Sequence, residues 1–253
     1  MFCTNVLINQ FKSLSTPRRR FLTSSIALAA ALAGAVQGVR ADAYSDLFDA
    51  IGLDDARAVR LALLRGLSPN SPDRVRGPAL VYAIREKSLA AVDALLEFPG
   101  TDVNVQNSAG ESALMLAAQL GAIDLVRRLI ARGAEVNRPG WTPLHYAATT
   151  GQVAVIELLL EHHAYIDAAS ENGTTPLMIA AREKQVQAAR LLVERGADPS
   201  LRNEAGLGAA AYLKRIGATE DADWMRERAA DYLRRYGTKE APVPAGRGGA
   251  PAR

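Results

Sequence analysis

Apolar residues recur along this chain in a repeating unit of about 33 residues. The two clearest copies are Gly-Trp-Thr-Pro-Leu-His-Tyr-Ala-Ala at 140–148 and Gly-Thr-Thr-Pro-Leu-Met-Ile-Ala-Ala at 173–181. At the same distance after each copy comes a leucine-rich run, at Val155–Leu160 and at Ala188–Val193. A fixed period of this length predicts stacked two-helix modules, in which each module buries its apolar face against its neighbours.

Each unit carries residue types that begin and end a helix. Thr142 and Thr175 stand at the N-cap, where a side-chain oxygen accepts from a free backbone amide. Each is followed by a proline, which has no amide to leave unpaired at the first helical position. His163 stands where the other copies have the glycine that ends the second helix in the left-handed conformation, which histidine also adopts. The pattern therefore predicts that a helix begins at each Thr-Pro.

The complete Thr-Pro-Leu-His-x-Ala-Ala match at Thr142–Ala148 resembles the ankyrin repeat. Aligning the leucine of this motif places one position of each unit in register: Leu47, Leu80, Leu114, Leu144, Leu177 and Ala210. The resemblance implies an all-α repeat solenoid, an ankyrin-repeat stack of paired antiparallel helices with β-hairpin fingers. We expect an N-terminal cap at 44–73, repeats at 74–106, 107–137, 138–169 and 170–202, and a C-terminal cap at 203–236.

Three places depart from the regular repeat. The segment 137–144 is shorter than its counterparts in the neighbouring units, which predicts a clipped finger. Lys184 stands where the ankyrin family usually has glycine, in the turn between the two helices of a module. The C-terminal cap is expected to carry a longer final helix at Asp221–Tyr236, with Trp224 and Leu233 available to cover the open end of the stack.

Residues 1–43 have the three-part order of a secretory signal peptide. Basic residues come first, at Lys12 and Arg18–Arg20, and an uncharged run follows from Phe21 to Val36. That run is short for a membrane span. Small residues then allow cleavage after Ala41 or Ala43.

The segment Arg18–Leu22, Arg-Arg-Arg-Phe-Leu, also resembles the twin-arginine export motif, and the alanine-rich apolar run suits that route. We therefore expect export to a bacterial periplasm, with no membrane contact after cleavage. Two alternatives remain at this point. The arginines could be fortuitous in a signal of the Sec type, or the segment could stay uncleaved and anchor the protein in the inner membrane.

The charge of the chain changes once the leader is set aside. The full sequence has 30 basic and 27 acidic residues, and five of the basic residues but no acidic one lie in residues 1–41. The remaining chain is slightly acidic, which disfavours nucleic-acid binding. The single cysteine, Cys3, lies in the leader, so the mature chain has no disulfide. Residues 237–253, rich in Gly, Pro and Ala, are predicted to be a disordered tail.

The residue types that carry catalysis or bind metals are sparse. The resemblance implies that His145 forms hydrogen bonds between modules, and the adjacent His162 and His163 match no zinc-ligand spacing. Gly206–Ala211 fits the loose dinucleotide fingerprint, but a finger precedes it where a buried strand would be needed. Because no hydrolase elbow, Walker loop or zinc-protease motif occurs either, we expect no catalysis, cofactor or metal.

The resemblance implies that partners bind along the concave face, which is built from finger tips and exposed positions of the first helices. Matched to this chain, the candidate residues are Ser108, Ala109, Glu111, Gln119, Trp141, Thr149, Glu171, Asn172, Thr174, Arg182 and Glu183. Trp141 is the most distinctive, because tryptophan is enriched among the residues that dominate binding energy. It is either an interface anchor or a side chain that folds back over the clipped finger.

These observations predict a monomeric, non-catalytic scaffold in the bacterial periplasm that binds a protein partner through its concave face and finger tips. One alternative is an accessory factor or small-ligand binder that supports a periplasmic redox or haem enzyme. The other is an adaptor tethered to the inner membrane by its uncleaved N-terminal segment.

Overall fold

The structure, a computed structural model, describes residues 43–70 and 72–237. The expected signal peptide up to residue 42, with the Ala41 cleavage site, lies outside the described residues, as does the expected tail from residue 238. In chain order the elements are α1 (43–52), α2 (Ala56–Leu64), β1 (Pro72–Asp73), β2 (Gly77–Pro78), α3 (Ala79–Arg85), α4 (Leu89–Glu97), α5 (Ala113–Leu120), α6 (Ile123–Ala131), α7 (Pro143–Thr150), α8 (Val153–Glu161), α9 (Pro176–Arg182), α10 (Val186–Glu194), α11 (Ala209–Arg215) and α12 (Thr219–Tyr236).

The helices form two parallel rows, one for the first helix and one for the second helix of each module. Helices α3, α5, α7, α9 and α11 contact one another in that order, and each also packs on the second helix of its own module. Contacts between α2 and α4, between α6 and α8, and between α8 and α10 connect the second row. The predicted all-helical repeat stack is therefore confirmed.

Helix starts follow the expected capping chemistry with one variation. Thr175 accepts at Oγ1 from the Met178 amide at 3.4 Å, and a proline occupies the first position of α9. At the equivalent place in α7, the Thr142 hydroxyl lies 2.9 Å from Nδ1 of His145. The Thr142 amide donates to the same nitrogen at 3.2 Å. The start of α7 is therefore tied to a histidine ring.

Alanine pairs allow neighbouring first helices to approach closely. The two alanines near the middle of α5, α7 and α9 are fully buried; they are Ala117, Ala118, Ala147, Ala148, Ala180 and Ala181. The register leucines from Leu47 to Leu177 are also buried, whereas Ala210 in the last module is half-buried. The apolar core therefore runs along the stack and weakens at its C-terminal end.

Two lysines and a histidine adopt the left-handed conformation in place of glycine. Lys184 has φ of 64° and Lys87 has φ of 61°, close to the 71° of Gly151 in the same inter-helix turn. His163 has φ of 61° at the end of α8, as the sequence predicted. The lysine at 184 therefore does not alter the turn.

The fingers contain less β-structure than expected. The described residues hold one regular hairpin, β1–β2, and one isolated bridge between Gln106 and Ser112. The later fingers are tight turns, such as the one closed by the Ser170 amide and the Thr174 carbonyl at 3.0 Å. The predicted clipped finger has only bends at 139–141. Only the first of the described fingers therefore forms a regular hairpin, whereas the second has the single bridge and the finger at 170–174 is closed by one turn bond.

The C-terminal cap contains a longer final helix, as the sequence predicted. Ala222 and Met225 are the buried residues of α12. Trp224 is half-buried and the Arg190 guanidinium lies over its ring, 4.9 Å from the centroid. Leu233 is 37% exposed. It lines a cavity together with Ala210 and Ala211 of α11, so its role as a cover stays a prediction.

Asparagine side chains connect the bases of neighbouring modules at three successive boundaries. Asn104 donates from Nδ2 to the Gly133 carbonyl at 3.0 Å and accepts at Oδ1 from the Glu135 amide at 2.9 Å. Asn70 and Asn137 each make the same pair of bonds to the module that follows them. The helix-forming motif does not contain these asparagines, so motif matching did not identify them.

We expect Asn104→Ala to lower the free energy of unfolding by about 1–2 kcal/mol, because two hydrogen bonds between modules are lost. Asn104→Asp keeps the acceptor for the Glu135 amide and removes the donor to the Gly133 carbonyl. The decrease in its free energy of unfolding should therefore be smaller. Urea denaturation followed by circular dichroism measures both. Equal losses for the two variants would contradict a role for both bonds.

Candidate partner-binding surface

Most of the expected partner-binding residues lie around one concave depression of about 540 Å³. Its lining residues come from three consecutive modules: Ala109, Gly110, Glu111, Gln119, Arg138, Pro139, Trp141, Tyr146, Thr149, Glu171 and Arg182. The fingers and the first helices α5, α7 and α9 bring these residues together. We call this the central depression. Sequence reasoning had not singled out Arg138 or Tyr146.

The other four expected residues differ in their placement. Ser108 and Asn172 are exposed on the fingers, and Glu183 pairs with Arg182 at the rim of the central depression. Thr174 was wrongly assigned to the surface. It is only 2% exposed, because its finger packs under the start of α9 and its carbonyl oxygen lies 3.0 Å from Nε2 of His145.

Trp141 packs on its own module and also lines the central depression. Its ring centroid lies 5.3 Å from that of His145 and 5.8 Å from that of Tyr146, which it meets edge to face. The side chain is half-buried. The two interpretations from the sequence are therefore compatible, because one part of the indole packs against the module while the residue still lines the cavity.

A fixed carboxylate lies beside this aromatic pair. Glu111 accepts from the Tyr146 hydroxyl at 3.1 Å and from Nδ2 of Asn107 at 2.7 Å. Burial, with the Glu111 charge as a second cause, raises the pKa of Tyr146 to about 12, so its hydroxyl stays protonated and donates. Glu111 is thus positioned from two sides.

Arg138 forms the floor of the central depression from the clipped finger. It donates to the Gly110 carbonyl at 2.8 Å and to Oε1 of Gln106 at 2.9 Å. Its Nε is buried and has no hydrogen-bond partner among the described residues. The shortened segment places this arginine against the preceding finger. The only sequence signal that could have identified it is its position in that segment.

The rim of the central depression holds an ion pair and a free carboxylate. Nε of Arg182 lies 2.8 Å from Oε1 of Glu183. Glu171 is exposed at the tip of the next finger, and no hydrogen bond or ion pair engages it within the described part of the chain. Its Oε1 lies 3.2 Å from the position that a Cβ on Gly140 would occupy. The carboxylate therefore sits directly beside the clipped finger.

His145 is buried in the core and connects two modules. Its Nδ1 accepts from the Thr142 amide, so the proton of the neutral ring lies on Nε2, which donates to the Thr174 carbonyl at 3.0 Å. Burial lowers the pKa of His145 to about 4, although the hydrogen bond to Thr174 acts in the opposite direction. A neutral, fully engaged ring of this kind is a structural element.

Neither the histidine pair nor the glycine-rich segment is placed as a metal site or a dinucleotide site requires. His162 and His163 are exposed turn residues, and no group of three or more His, Cys, Asp or Glu in the described ranges could hold a metal ion. Gly206–Ala211 runs from a finger into α11, so the strand that a dinucleotide site requires does not precede it. Within the same ranges, no helix has the length and apolar character needed to cross a membrane.

Comparison with known proteins identifies the repeat. The family model of ankyrin repeats, with three copies, matches residues 47–139, 80–170 and 138–203. E3 ubiquitin-protein ligase Ufd4 of Drosophila melanogaster is 37% identical over 94 residues, which is 37% of this chain and 3% of that protein. B-cell lymphoma 3 protein homolog of Mus musculus is 32% identical over 117 residues, 44% of this chain and 26% of that protein. Ankyrin repeat and SAM domain-containing protein 6 of Rattus norvegicus is 40% identical over 113 residues, 43% of this chain and 13% of that protein.

The buried His145 should make stability depend on pH in a defined range. Its pKa is 6.5 in an ordinary environment and about 4 in the folded chain, so the unfolded chain binds the extra proton between these values. Stability is therefore full above pH 6.5 and falls by roughly 3 kcal/mol as the pH approaches 4.

Urea midpoints measured from pH 7 to pH 4 test this expectation. His145→Gln should flatten the pH dependence, whereas the exposed His162→Gln should leave it unchanged. If the stability of His145→Gln falls with pH as steeply as that of the unmodified protein, His145 is not the group that causes the pH dependence.

Proposed function

We propose that this chain, which belongs to the ankyrin-repeat family, binds a protein partner through the concave face around the central depression and has no catalysis of its own. Ankyrin repeats are protein–protein interaction scaffolds, and the three matches of the family model together span residues 47–203. The family membership supports the class of function. The structure of the depression supports its location.

One observation carries the proposal: three consecutive modules place an aromatic side chain and fixed polar groups around one concavity. Trp141 is held by contacts with His145 and Tyr146, and Glu111 is held by two hydrogen bonds. Side chains that are ordered before binding lose little conformational entropy when a partner arrives. A rigid tryptophan in a concave site is typical of residues that dominate binding energy.

The names of the relatives do not extend the proposal to an enzyme. The Drosophila relative is a ubiquitin ligase, but this chain matches only 3% of its length. The chain spans between 3% and 26% of the three relatives compared above. Similarity restricted to repeats supports a binding module, because the remaining parts of those proteins have no counterpart in the match.

We also propose that the protein acts after export to a bacterial periplasm. The proposal rests on the leader sequence, with Arg18–Leu22 followed by an uncharged run and small-residue cleavage sites. The absence of cysteine beyond Cys3 is compatible with an oxidising compartment. In that setting the partner would be another exported protein.

Trp141→Ala should weaken partner binding by more than about 1 kcal/mol, which is roughly a fivefold rise in Kd, because the anchor of the central depression is lost. The partner is first isolated by affinity purification of the tagged mature protein from the periplasm with mass spectrometry, and its affinity is then measured by interferometry.

Trp224→Phe is the matched control, because Trp224 is the second tryptophan and lies outside the central depression. Its affinity should equal that of the unmodified protein. An unchanged affinity for Trp141→Ala, together with a large fall in melting temperature, would show that Trp141 only packs.

Replacing Arg18-Arg19 by Lys-Lys should leave the protein in the cytoplasm, because the twin-arginine pair is removed while the charge is kept. Cell fractionation and immunoblotting measure the distribution. Arg40→Lys, which lies outside the motif, should be exported normally. Normal export of the Lys-Lys variant would contradict the twin-arginine route, and an N-terminal sequence that retains residues 21–36 would indicate a tether.

A further inference from the structure

We infer that the central depression receives an arginine or lysine side chain of the partner, with Glu171 as its counter-ion and Trp141 as the aromatic surface against which its stem lies. This inference rests on the proposed function and names the partner chemistry at the same site. It follows from the distribution of paired and unpaired charge around the cavity.

Glu171 is the one lining residue with a full charge and no partner among the described residues. It is exposed, it makes no hydrogen bond or ion pair there, and its Oε1 lies beside Gly140. An exposed carboxylate costs little to pair, because much of its hydration is retained at the rim. A cation that enters beside Trp141 therefore meets an available acceptor.

Glu111 adds a second carboxylate from the opposite module. Its two oxygens accept from Tyr146 and Asn107, one bond each, so both oxygens retain accepting capacity. Both donors are neutral, so the negative charge of Glu111 is not cancelled by these bonds. The first and third fingers of the site thus place negative charge on two sides of the cavity.

The two arginines of the depression offset two of the three glutamate charges around it. Arg138 uses both of its terminal nitrogens on the Gly110 carbonyl and on Gln106, and its free Nε is buried below the surface. Arg182 is paired with Glu183 at 2.8 Å. When Glu183, which does not line the depression but pairs with Arg182 at its rim, is counted with Glu111 and Glu171, three glutamates stand against two arginines, a net charge of about −1.

Trp141 provides the aromatic surface of the proposed site. Its ring is held edge to face on Tyr146, and it lies in the segment next to the carboxylate of Glu171. A cation over an aromatic ring gains attraction from the ring quadrupole, and the aliphatic stem of arginine or lysine covers the apolar surface. An acidic partner side chain would meet the unpaired carboxylate of Glu171, whereas the Arg138 guanidinium is already held by the Gly110 carbonyl and Gln106.

The experiment titrates the mature protein with the blocked peptides acetyl-Gly-Gly-X-Gly-Gly-amide, where X is Arg, Lys, Glu or Ala. Binding is followed by the indole Nε1–H signals of the two tryptophans in nuclear magnetic resonance spectra. We expect the Arg and Lys peptides to shift the Trp141 signal saturably, with little effect on Trp224. The apparent affinity should fall as salt is added.

Glu171→Gln should raise the Kd of the Arg peptide by about two- to fivefold. Glu204→Gln is the matched control, because Glu204 is an exposed glutamate at the tip of the next finger and does not line the depression. Its Kd should equal that of the unmodified protein. No saturable shift with the Arg and Lys peptides, an equal shift with the Glu peptide, or an unchanged Kd in Glu171→Gln would each overturn the inference.

The isolated partner separates this inference from the proposed function. If Trp141→Ala loses the partner and Glu171→Gln retains it with full affinity, the concave face is the binding surface and the basic anchor is wrong. If neither variant changes the affinity, the binding surface lies elsewhere and both proposals fail.

Discussion

Contact between neighbouring modules through buried alanines is the constraint on which this structure depends. The first helices are only seven or eight residues long from α3 to α11, a length that is marginal for an isolated helix in water. Their stability comes from stacking, and the stacking distance is set by residues without bulk, such as Ala147 and Ala148, which are fully buried. Because the helices stand this close, polar groups of one module reach the backbone of the next. The asparagine bonds at the base and the His145 bond to Thr174 are the result.

The clipped finger shows how a local shortening creates a surface feature in a regular stack. Its bends at 139–141 take the place of a hairpin, and Arg138 then bonds to the preceding finger while Glu171 of the following finger lies against Gly140. Three modules therefore contribute to one cavity at the point where the repeat is least regular. An ideal array would present the same residues on separate, evenly spaced fingers. The shortened finger is thus the feature that distinguishes the central depression from the surface of a regular stack.

The C-terminal end of the stack shows the effect of a missing neighbouring module. Without a further module, the outer face of α11 meets water, and Lys214 is exposed at the repeat position where α7 and α9 have buried alanines. The longer α12 compensates by burying Ala222 and Met225 and by stacking Trp224 under Arg190. In its later turns Leu233 stays partly exposed and lines a cavity with Ala210 and Ala211. Terminal modules of repeat proteins commonly differ in this way.

The sequence by itself determined the features that depend on neighbouring residues in the chain. The period, the leucine register, the helix starts at Thr142 and Thr175 and the left-handed end at His163 all follow from local capping, turn and apolar-spacing preferences. Only the tertiary structure decided the burial of Thr174, the role of Arg138 and the dual placement of Trp141. These depend on which groups from different modules lie within hydrogen-bonding or van der Waals distance. That distance is set by the stacking of whole modules, and residues about 30 positions apart carry no local signal of it.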